Sequence, residues 1–193
     1  METLHTLLST IRDCRYCEAH LPLGPRPVVI ADTAARILII GQAPGTRVHE
    51  SGIAWNDPSG DRLRQWLNID REQFYNDSRL AIMPMGFCYP GKGKSGDLPP
   101  RKECAPLWHE RLLAQMPELE LVLLIGQYAQ KYYLHDTFKT LTERVANHPA
   151  DSLYIPLPHP SPRNQMWLRR NPWFDTELVP RLRRRTNPIL EIP

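Results

Sequence analysis

Four cysteines stand in two pairs that together could hold a metal. Two residues separate Cys14 from Cys17, fifteen separate Cys88 from Cys104, and seventy lie between the pairs. Four thiolates suit a [4Fe–4S] cluster or a tetrahedral zinc ion, and ordinary buried free thiols are the third alternative. In a reducing compartment, metal ligation or a catalytic thiol is more usual for such cysteines than a disulfide.

A histidine and three loops rich in glycine or proline are the other candidates for chemistry. The loops read GQAPG over 41–45, GFCYPG over 86–91 and PHPSP over 158–162. His159 lies in the third loop between two prolines, and because proline fixes φ and restricts the residue before it, this loop is stiff. The first loop is a tight turn that exposes backbone N–H groups to a ligand.

The net charge is small, but its distribution is uneven. Lys and Arg number 24 against 21 Asp and Glu, which gives +3. The cations are 19 Arg and 5 Lys, and seven arginines fall between Arg163 and Arg185. The planar fork of arginine suits phosphate, so this concentration predicts a phosphate-binding surface beside the PHPSP loop. The plainer interpretation is that 181–185 is the solvated end of a helix.

The apolar pattern predicts alternating helices and strands around these loops. Residues 36–40, RILII, are a continuous apolar run ended by Gly41, which is typical of a buried parallel strand. The other predicted strands are 80–85, 119–125 and 153–157, and the predicted helices are 2–12, 59–67, 100–116, 126–133 and 175–185. Strands separated by helices predict an α/β fold: a three-layer α/β/α sandwich around a central, mostly parallel four-stranded sheet. We expect a single domain over 1–193, with a flexible C-terminal tail at 186–193.

The composition argues against several classes of protein. A hydrophobic content of 41% can fill a core, and the low net charge argues against disorder. No apolar run approaches the ~18 residues of a membrane span, and 1–5 lacks the charged and apolar regions of a signal peptide. We therefore expect a cytoplasmic protein without membrane association.

The three loops all follow predicted strands. The carboxyl ends of parallel strands meet at one edge of a sheet, and sites form in the crevice beyond them. The topology therefore predicts one site built from 41–45, 86–91 and 158–162.

Together these segments resemble the uracil-DNA glycosylase superfamily from about Cys14 to Phe174. GQAPG, followed by an aromatic residue at Trp55, resembles the first motif of that superfamily, and HPSP resembles the second. The four cysteines resemble those of its iron–sulfur-containing branches, families four and five. The resemblance implies DNA as the partner, with a base extruded from the helix into a pocket. It also implies a [4Fe–4S] cluster on Cys14, Cys17, Cys88 and Cys104, with zinc as the alternative.

The resemblance assigns roles to individual residues. Trp55 occupies the position of a phenylalanine that stacks on the extruded base, and His159 matches a histidine that donates to uracil O2 as the base leaves. The implied base pocket comprises Gly41, Gln42, Ala43, Pro44, Gly45, Trp55 and Asn56. The implied DNA-contacting residues are Ser161, Arg163, Asn164, Arg169 and Arg170.

The sequence also departs from the family in two places. Gln42 replaces a glutamate of family four, and Ala43 replaces an Asp or Asn of other branches. The group that activates water or stabilises the sugar cation is then expected among His49, Glu50 and Asp57, each of which could instead be a surface residue or a helix cap. Pro84 replaces an asparagine that reads the uracil edge, so Asn56 becomes the alternative source of an amide. The base could then be uracil or another deaminated base such as hypoxanthine or xanthine.

These features favour a monomeric, monofunctional DNA glycosylase that removes a deaminated base during DNA repair. The motifs contain no lysine for a Schiff base, so lyase activity is not expected. One alternative is an iron–sulfur DNA-binding protein of the same fold with weak or no catalysis. The other is a scaffold domain with a metal site and no role on DNA.

Overall fold

Four parallel strands form the central sheet of the computed structural model, which describes residues 2–191, and their order is β2-β1-β5-β6. A separate two-stranded antiparallel hairpin, β3–β4, projects from the loop after β2. The strands are β1 (Ile37–Ile40), β2 (Leu80–Ile82), β3 (Lys92–Gly93), β4 (Gly96–Asp97), β5 (Leu121–Ile125) and β6 (Tyr154–Leu157). Strand β6 contains Pro156 and lies at the sheet edge, where the missing N–H of proline removes no ladder hydrogen bond from the sheet interior.

Helices cover both faces of this sheet. They are α1 (Leu4–Arg12), α2 (Thr46–Ser51), α3 (Pro58–Leu67), α4 (Arg71–Asn76), α5 (Cys104–Leu113), α6 (Gln127–Tyr133), α7 (Leu141–Asn147), α8 (Gln165–Arg170) and α9 (Val179–Leu190). Short 3₁₀ turns occur at Glu18–His20 and Pro162–Asn164, and a π-helical turn at Phe174–Leu178 leads into α9. Within residues 2–191, no helix has both the length and the apolar character needed to cross a bilayer.

The alternation of side chains along β1 divides the core into two layers. Ile37 and Ile39 pack into one apolar cluster that includes residues of α3 and α9. Leu38 and Ile40 pack into the other, with residues of α1, α5 and α6. A strand buried on both faces requires the continuous apolar run seen in the sequence. The predicted α/β/α sandwich is therefore confirmed, and all four strands of its sheet are parallel.

The shortest helices could not be predicted from the sequence pattern. The helices α2, α4, α7 and α8 have six or seven residues each, too few to establish a periodicity. The predicted strand 80–85 ends at Ile82, although Met83 and Met85 still donate N–H groups to the carbonyls of Ile39 and Gly41 at 2.9 Å. This continued bonding draws the loop after β2 towards the loop after β1.

The expectation of a flexible tail at 186–193 is wrong for the part that the structure describes. Helix α9 continues to Leu190, and both Ile189 and Leu190 are buried in the core. Arg79 donates to the carbonyl oxygens of these two residues at 3.1 and 3.3 Å, so the end of the helix is anchored. Residues 192–193 lie outside the described residues.

Candidate functional site

A pocket of about 470 Å³ lies beyond the carboxyl edge of the sheet. It brings together the 41–45 and 158–162 loops, as predicted, with Pro84 just after β2. No residue of the 86–91 loop lines it, and Phe87 and Cys88 instead line a second cavity, so the prediction of one site from all three loops is wrong for 86–91. All of 41–45 lines the pocket, as do Trp55, Asp57, Ser161, Arg163 and Asn164. Most of the residues assigned to the site from sequence are therefore neighbours in space.

His159 is held in one tautomer by its own loop. Its Nδ1 accepts the backbone N–H of Ser161 at 3.2 Å, and the side-chain amide of Asn164 donates to its carbonyl oxygen at 2.7 Å. Burial lowers the pKa of His159, and the nearby Asp57 carboxylate only partly opposes this change. The ring is therefore neutral near pH 7, and because Nδ1 is an acceptor, the proton lies on Nε2. Nε2–H is thus the donor that remains available to a ligand.

Trp55 faces His159 across the pocket. Their ring centroids are 5.7 Å apart and the ring planes differ by 33°. Trp55 has a left-handed backbone, with φ of 55°, which is uncommon for a large side chain and is typical of strained functional positions. A Cβ on Gly41 would lie 2.8 Å from the indole, and one on Gly60 would lie 1.8 Å from the Trp55 carbonyl oxygen. Glycines at both positions leave the space that the indole and its backbone occupy.

Asp57 is the acid that the fold places in the pocket. It is the N-cap of α3, where its Oδ1 accepts the N–H of Gly60 at 2.9 Å. Proline at the next position has the fixed φ that suits the first helical turn. The N-cap role explains the conformation of Asp57 and leaves its second carboxylate oxygen for the pocket.

The other two candidates for the catalytic group lie outside the pocket lining. His49 is buried on α2, with its ring 6.1 Å from that of Tyr89. Glu50 is exposed on the same helix, and its backbone carbonyl accepts from Arg26 at 2.8 Å. His49, Glu50 and Asp57 all follow the GQAPG motif closely in the sequence. The path of the chain through α2 directs the first two away from the pocket.

Neither position considered for reading the base edge brings an amide side chain to the pocket. The Asn56 side-chain oxygen accepts from Arg71 at 2.8 Å, and Asn56 lies outside the pocket lining. Pro84 lines the pocket, and its carbonyl oxygen accepts from His109 Nε2 at 3.1 Å. Recognition of a base edge therefore has to come from other groups.

The hairpin β3–β4 adds a pocket wall that sequence reasoning missed. Ser95, Gly96, Asp97 and Leu98 all line the pocket. Lys94 and Ser95 form the two-residue turn, and they are not one of the glycine-containing pairs that usually mark such a hairpin. Strands of two residues each carry no apolar alternation, so the pattern was too short to predict this element.

The arginines of the C-terminal region have several different roles. Arg163 donates to the Ser95 carbonyl at 3.2 Å and so supports the hairpin, while Arg169 and Arg170 are exposed at the end of α8. Arg183 donates to the carbonyls of Gln65 and Trp66, and Arg185 to those of Ala150 and Ser152. The carbonyls of Gln65 and Trp66 are in the last turn of α3, where the helix itself leaves carbonyl groups without intrahelical partners, so Arg183 stabilises the end of this helix. Part of the arginine concentration is therefore structural.

The four cysteines meet around a second, smaller cavity. Cys14 follows α1, Cys17 precedes the first 3₁₀ turn, Cys88 lies after β2, and Cys104 begins α5. All four are free thiols, and the N–H of Phe87 donates to the Cys104 sulfur at 3.3 Å. Burial raises the pKa of Cys88 to about 11 and that of Cys104 to about 12. Such thiols become thiolates only with a compensating cation such as a bound metal.

The donor set suits a cluster in its chemistry. Within residues 2–191, no three His, Cys, Asp or Glu side chains are grouped as ligands of one metal ion. A [4Fe–4S] cluster makes a different demand, because each cysteine binds a different iron and the sulfurs need only surround a common cavity. Four free cysteines line one cavity, and the N–H of Phe87 is directed at the Cys104 sulfur, so the type and number of the donors suit such a cluster.

His109 lies between the two cavities. Its Nδ1 and the Tyr133 hydroxyl are 2.6 Å apart, its Nε2 contacts the Pro84 carbonyl, and its ring stacks on Phe87 with centroids 5.7 Å apart. Carbonyl oxygens only accept, so Nε2 carries the proton and the Tyr133 hydroxyl donates to Nδ1. Burial lowers the pKa of His109 to about 4, and this ring is therefore neutral in the folded protein.

This burial predicts a specific loss of stability in acid. An unfolded histidine binds a proton below its usual pKa near 6.5, whereas folded His109 stays neutral until about pH 4. The unfolded state then holds more protons, so the free energy of unfolding falls as pH falls from 6.5 to 4, by about 3 kcal/mol from this residue. Denaturant unfolding of wild type and His109→Gln at several pH values measures this contribution to the free energy of unfolding. If the free energy of unfolding of wild type falls no more steeply between pH 6.5 and 4 than that of the variant, the prediction is contradicted.

The fold and the two sites place the chain in a class of proteins that use a parallel α/β sandwich to present a polar pocket at the strand ends. A comparison with protein families then gives the family. The model of the uracil DNA glycosylase superfamily matches residues 27–183, most of the chain, and the protein belongs to that superfamily. Members of this superfamily are generally DNA glycosylases, hydrolases of base excision repair.

Proposed function

We propose that this protein is a monofunctional DNA glycosylase that hydrolyses the N-glycosidic bond of uracil or another deaminated base extruded from DNA. The observation that carries the proposal is the pairing of Trp55 and His159, with ring centroids 5.7 Å apart, in one pocket with the Asp57 carboxylate. An aromatic face, a neutral donor and an anion are the three groups that this reaction requires.

Each group has one task in the reaction. The extruded base stacks on Trp55, a contact worth about 1–3 kcal/mol. As the glycosidic bond breaks, its electron pair moves to the base, and His159 Nε2–H donates to the carbonyl oxygen where negative charge develops. Asp57 stabilises the positive charge that develops on the sugar and orients water, whose oxygen bonds to the sugar carbon. The released proton ends on the departing base or in solvent.

The pocket suits the substrate in size. A volume of about 470 Å³ falls within the range of about 300–1,000 Å³ usual for small-ligand sites. One pyrimidine or purine with its sugar fits such a volume. Ser161 and Asn164 line the pocket, and Arg169 and Arg170 are exposed on α8. These four residues are proposed to contact the DNA backbone. We expect the protein to act on DNA as a monomer.

The four cysteines are proposed to hold a [4Fe–4S] cluster that supports the fold next to this pocket. When bound, such a group supplies a structural crosslink through its four sulfur ligands. Cys14 and Cys17 follow α1, whereas Cys88 and Cys104 flank the loop that contains the hairpin. The cysteines thereby connect the N-terminal helix to a pocket wall, and no step of the hydrolysis passes through them.

Removal of one ligand is expected to abolish the cluster. Anaerobically purified wild-type protein should be brown and contain about four irons per chain. Cys104→Ala should lose most of this iron and unfold at lower temperature. Tyr16→Phe is the matched control, because Tyr16 is 70% exposed between two of the cysteines. Stoichiometric zinc in place of iron, or a Cys104→Ala variant with full iron, would contradict the assignment.

The glycosylase activity is tested on a panel of oligonucleotides. Single- and double-stranded DNA with one uracil, hypoxanthine or xanthine is incubated with the protein and then cleaved by alkali at abasic sites. We expect an alkali-sensitive site at the modified base and none in the unmodified strand. Tight, salt-dependent binding without excision would instead favour the DNA-binding alternative, since phosphate contacts release counterions.

A further inference from the structure

The pocket contains a second carboxylate to which no motif and no step above gives a role. Asp97 ends strand β4 and lines the pocket. Its Oδ2 lies 3.6 Å from the position that a Cβ on Gly45 would take. The carboxylate therefore lies against the 41–45 loop, which forms one wall of the base pocket.

Backbone contacts fix the hairpin from which this carboxylate extends. In the hairpin, Lys92 pairs with Asp97, and Leu98 donates its N–H to the Gly91 carbonyl at 2.8 Å. At the turn, Arg163 from the PHPSP loop donates to the Ser95 carbonyl. Asp97 itself forms no ion pair with any residue in the described range 2–191. Its carboxylate is exposed at the pocket and remains available as an acceptor.

Asp57 is unsuited to the same task. One of its oxygens is occupied as the N-cap of α3, and it lies close enough to His159 to raise the pKa of that ring. The proposed mechanism already assigns Asp57 to the sugar cation. Asp97 approaches from the hairpin, on a different element from His159 and Trp55.

Deamination changes the hydrogen bonding of a base in a way that a carboxylate can detect. Cytosine N3 and adenine N1 are acceptors, whereas N3 of uracil and N1 of hypoxanthine carry hydrogen. Guanine N1 already carries hydrogen, so xanthine does not differ from its parent at this position. An ionised carboxylate only accepts hydrogen bonds, so it attracts an N–H and repels a lone pair. The position after β2, where Pro84 lies, supplies no side-chain amide for this purpose.

We propose that Asp97 accepts the ring N–H that uracil or hypoxanthine carries and its parent base lacks, and so determines the specificity of the pocket. This inference rests on the proposed glycosylase function and adds the feature of the base that is recognised. A hydrogen bond to a charged group is stronger than one between neutral groups, so an analogue that lacks the ring N–H is expected to be excised more slowly.

The test combines a change in the base with a change in the protein. Uracil and 3-methyluracil, which lacks the N3–H, are placed in the same oligonucleotide, and single-turnover excision rates are measured for wild type, Asp97→Ala and Lys94→Ala. We expect methylation to slow the wild type by about 10- to 100-fold, the scale of a hydrogen bond to a charged group. The penalty should largely disappear in Asp97→Ala and persist in Lys94→Ala, since Lys94 is exposed on the same hairpin.

The result separates recognition from structural support. A purely structural role would slow both substrates equally in Asp97→Ala, and an equal methylation penalty in wild type and Asp97→Ala overturns the inference while the glycosylase function stands. If wild type excises neither base, nor any modified base of the panel above, the proposed function fails. The recognition by Asp97 is then tested by binding to 2′-fluorinated oligonucleotides, whose glycosidic bond resists cleavage. If wild type binds uracil more tightly than 3-methyluracil and Asp97→Ala does not, the inference is supported. If the two proteins show the same preference, the inference is overturned.

Discussion

His159→Ala should reduce the single-turnover rate of base excision by about 100- to 1,000-fold, the cost of losing one preorganised donor to a developing anion. The effect is large because the loop fixes the ring before substrate arrives. The Ser161 N–H occupies Nδ1, and the Asn164 amide holds the carbonyl of the same residue. The wild-type donor therefore needs no reorganisation during the reaction, and alanine supplies no substitute.

The control for this variant is another histidine. His135→Ala changes an exposed residue outside the pocket lining and should leave the rate unchanged. Because His159 accepts only a local backbone bond, the thermal stability of His159→Ala should stay close to that of wild type. An excision rate for His159→Ala within threefold of wild type would contradict the role assigned to this ring.

Asp57→Asn should slow excision by about 100-fold, through loss of a charge near the sugar cation. Asparagine caps helices about as well as aspartate, so this variant keeps the bond to the Gly60 N–H. The loss is thus electrostatic rather than structural. A second consequence is measurable without substrate: Asp57 opposes the lowering of the His159 pKa, so the variant should show a still lower His159 pKa in an NMR titration.

Asp70→Asn is the matched control for Asp57→Asn. Asp70 is the N-cap of α4, where it accepts the Gln73 N–H at 2.7 Å, and it lies outside the pocket lining. Both variants should unfold at nearly the wild-type temperature, and Asp70→Asn should keep the wild-type rate. Equal activities of the two variants would remove Asp57 from the mechanism.

The central sheet could be predicted from the sequence because burial on both faces demands long apolar runs. The segments 36–40 and 119–125 each contain such a run, and the structure places β1 and β5 within them at the centre of the sheet. The meeting of the 41–45 and 158–162 loops followed from topology alone, since parallel strands end at one edge.

The remaining features depend on directions in space that the sequence does not encode locally. His49, Glu50 and Asp57 are close along the chain, and the path of α2 and the cap of α3 determine that Asp57 enters the pocket. Asp97 is 40 residues from Asp57 in the chain and reaches the same pocket through a hairpin too short to leave a pattern. The number of arginines near the C-terminus predicted a phosphate-binding surface, whereas several of them donate hydrogen bonds to backbone carbonyls.

The most direct test of the proposed function measures the product of the reaction. Oligonucleotides containing uracil, hypoxanthine or xanthine are incubated with wild-type protein or His159→Ala, and the free base is quantified by mass spectrometry. The proposal predicts that wild type releases at least one deaminated base in a yield equal to the abasic sites formed, and that His159→Ala releases it about 100-fold or more slowly. Stoichiometric DNA binding by wild type with no free base from any substrate would contradict it.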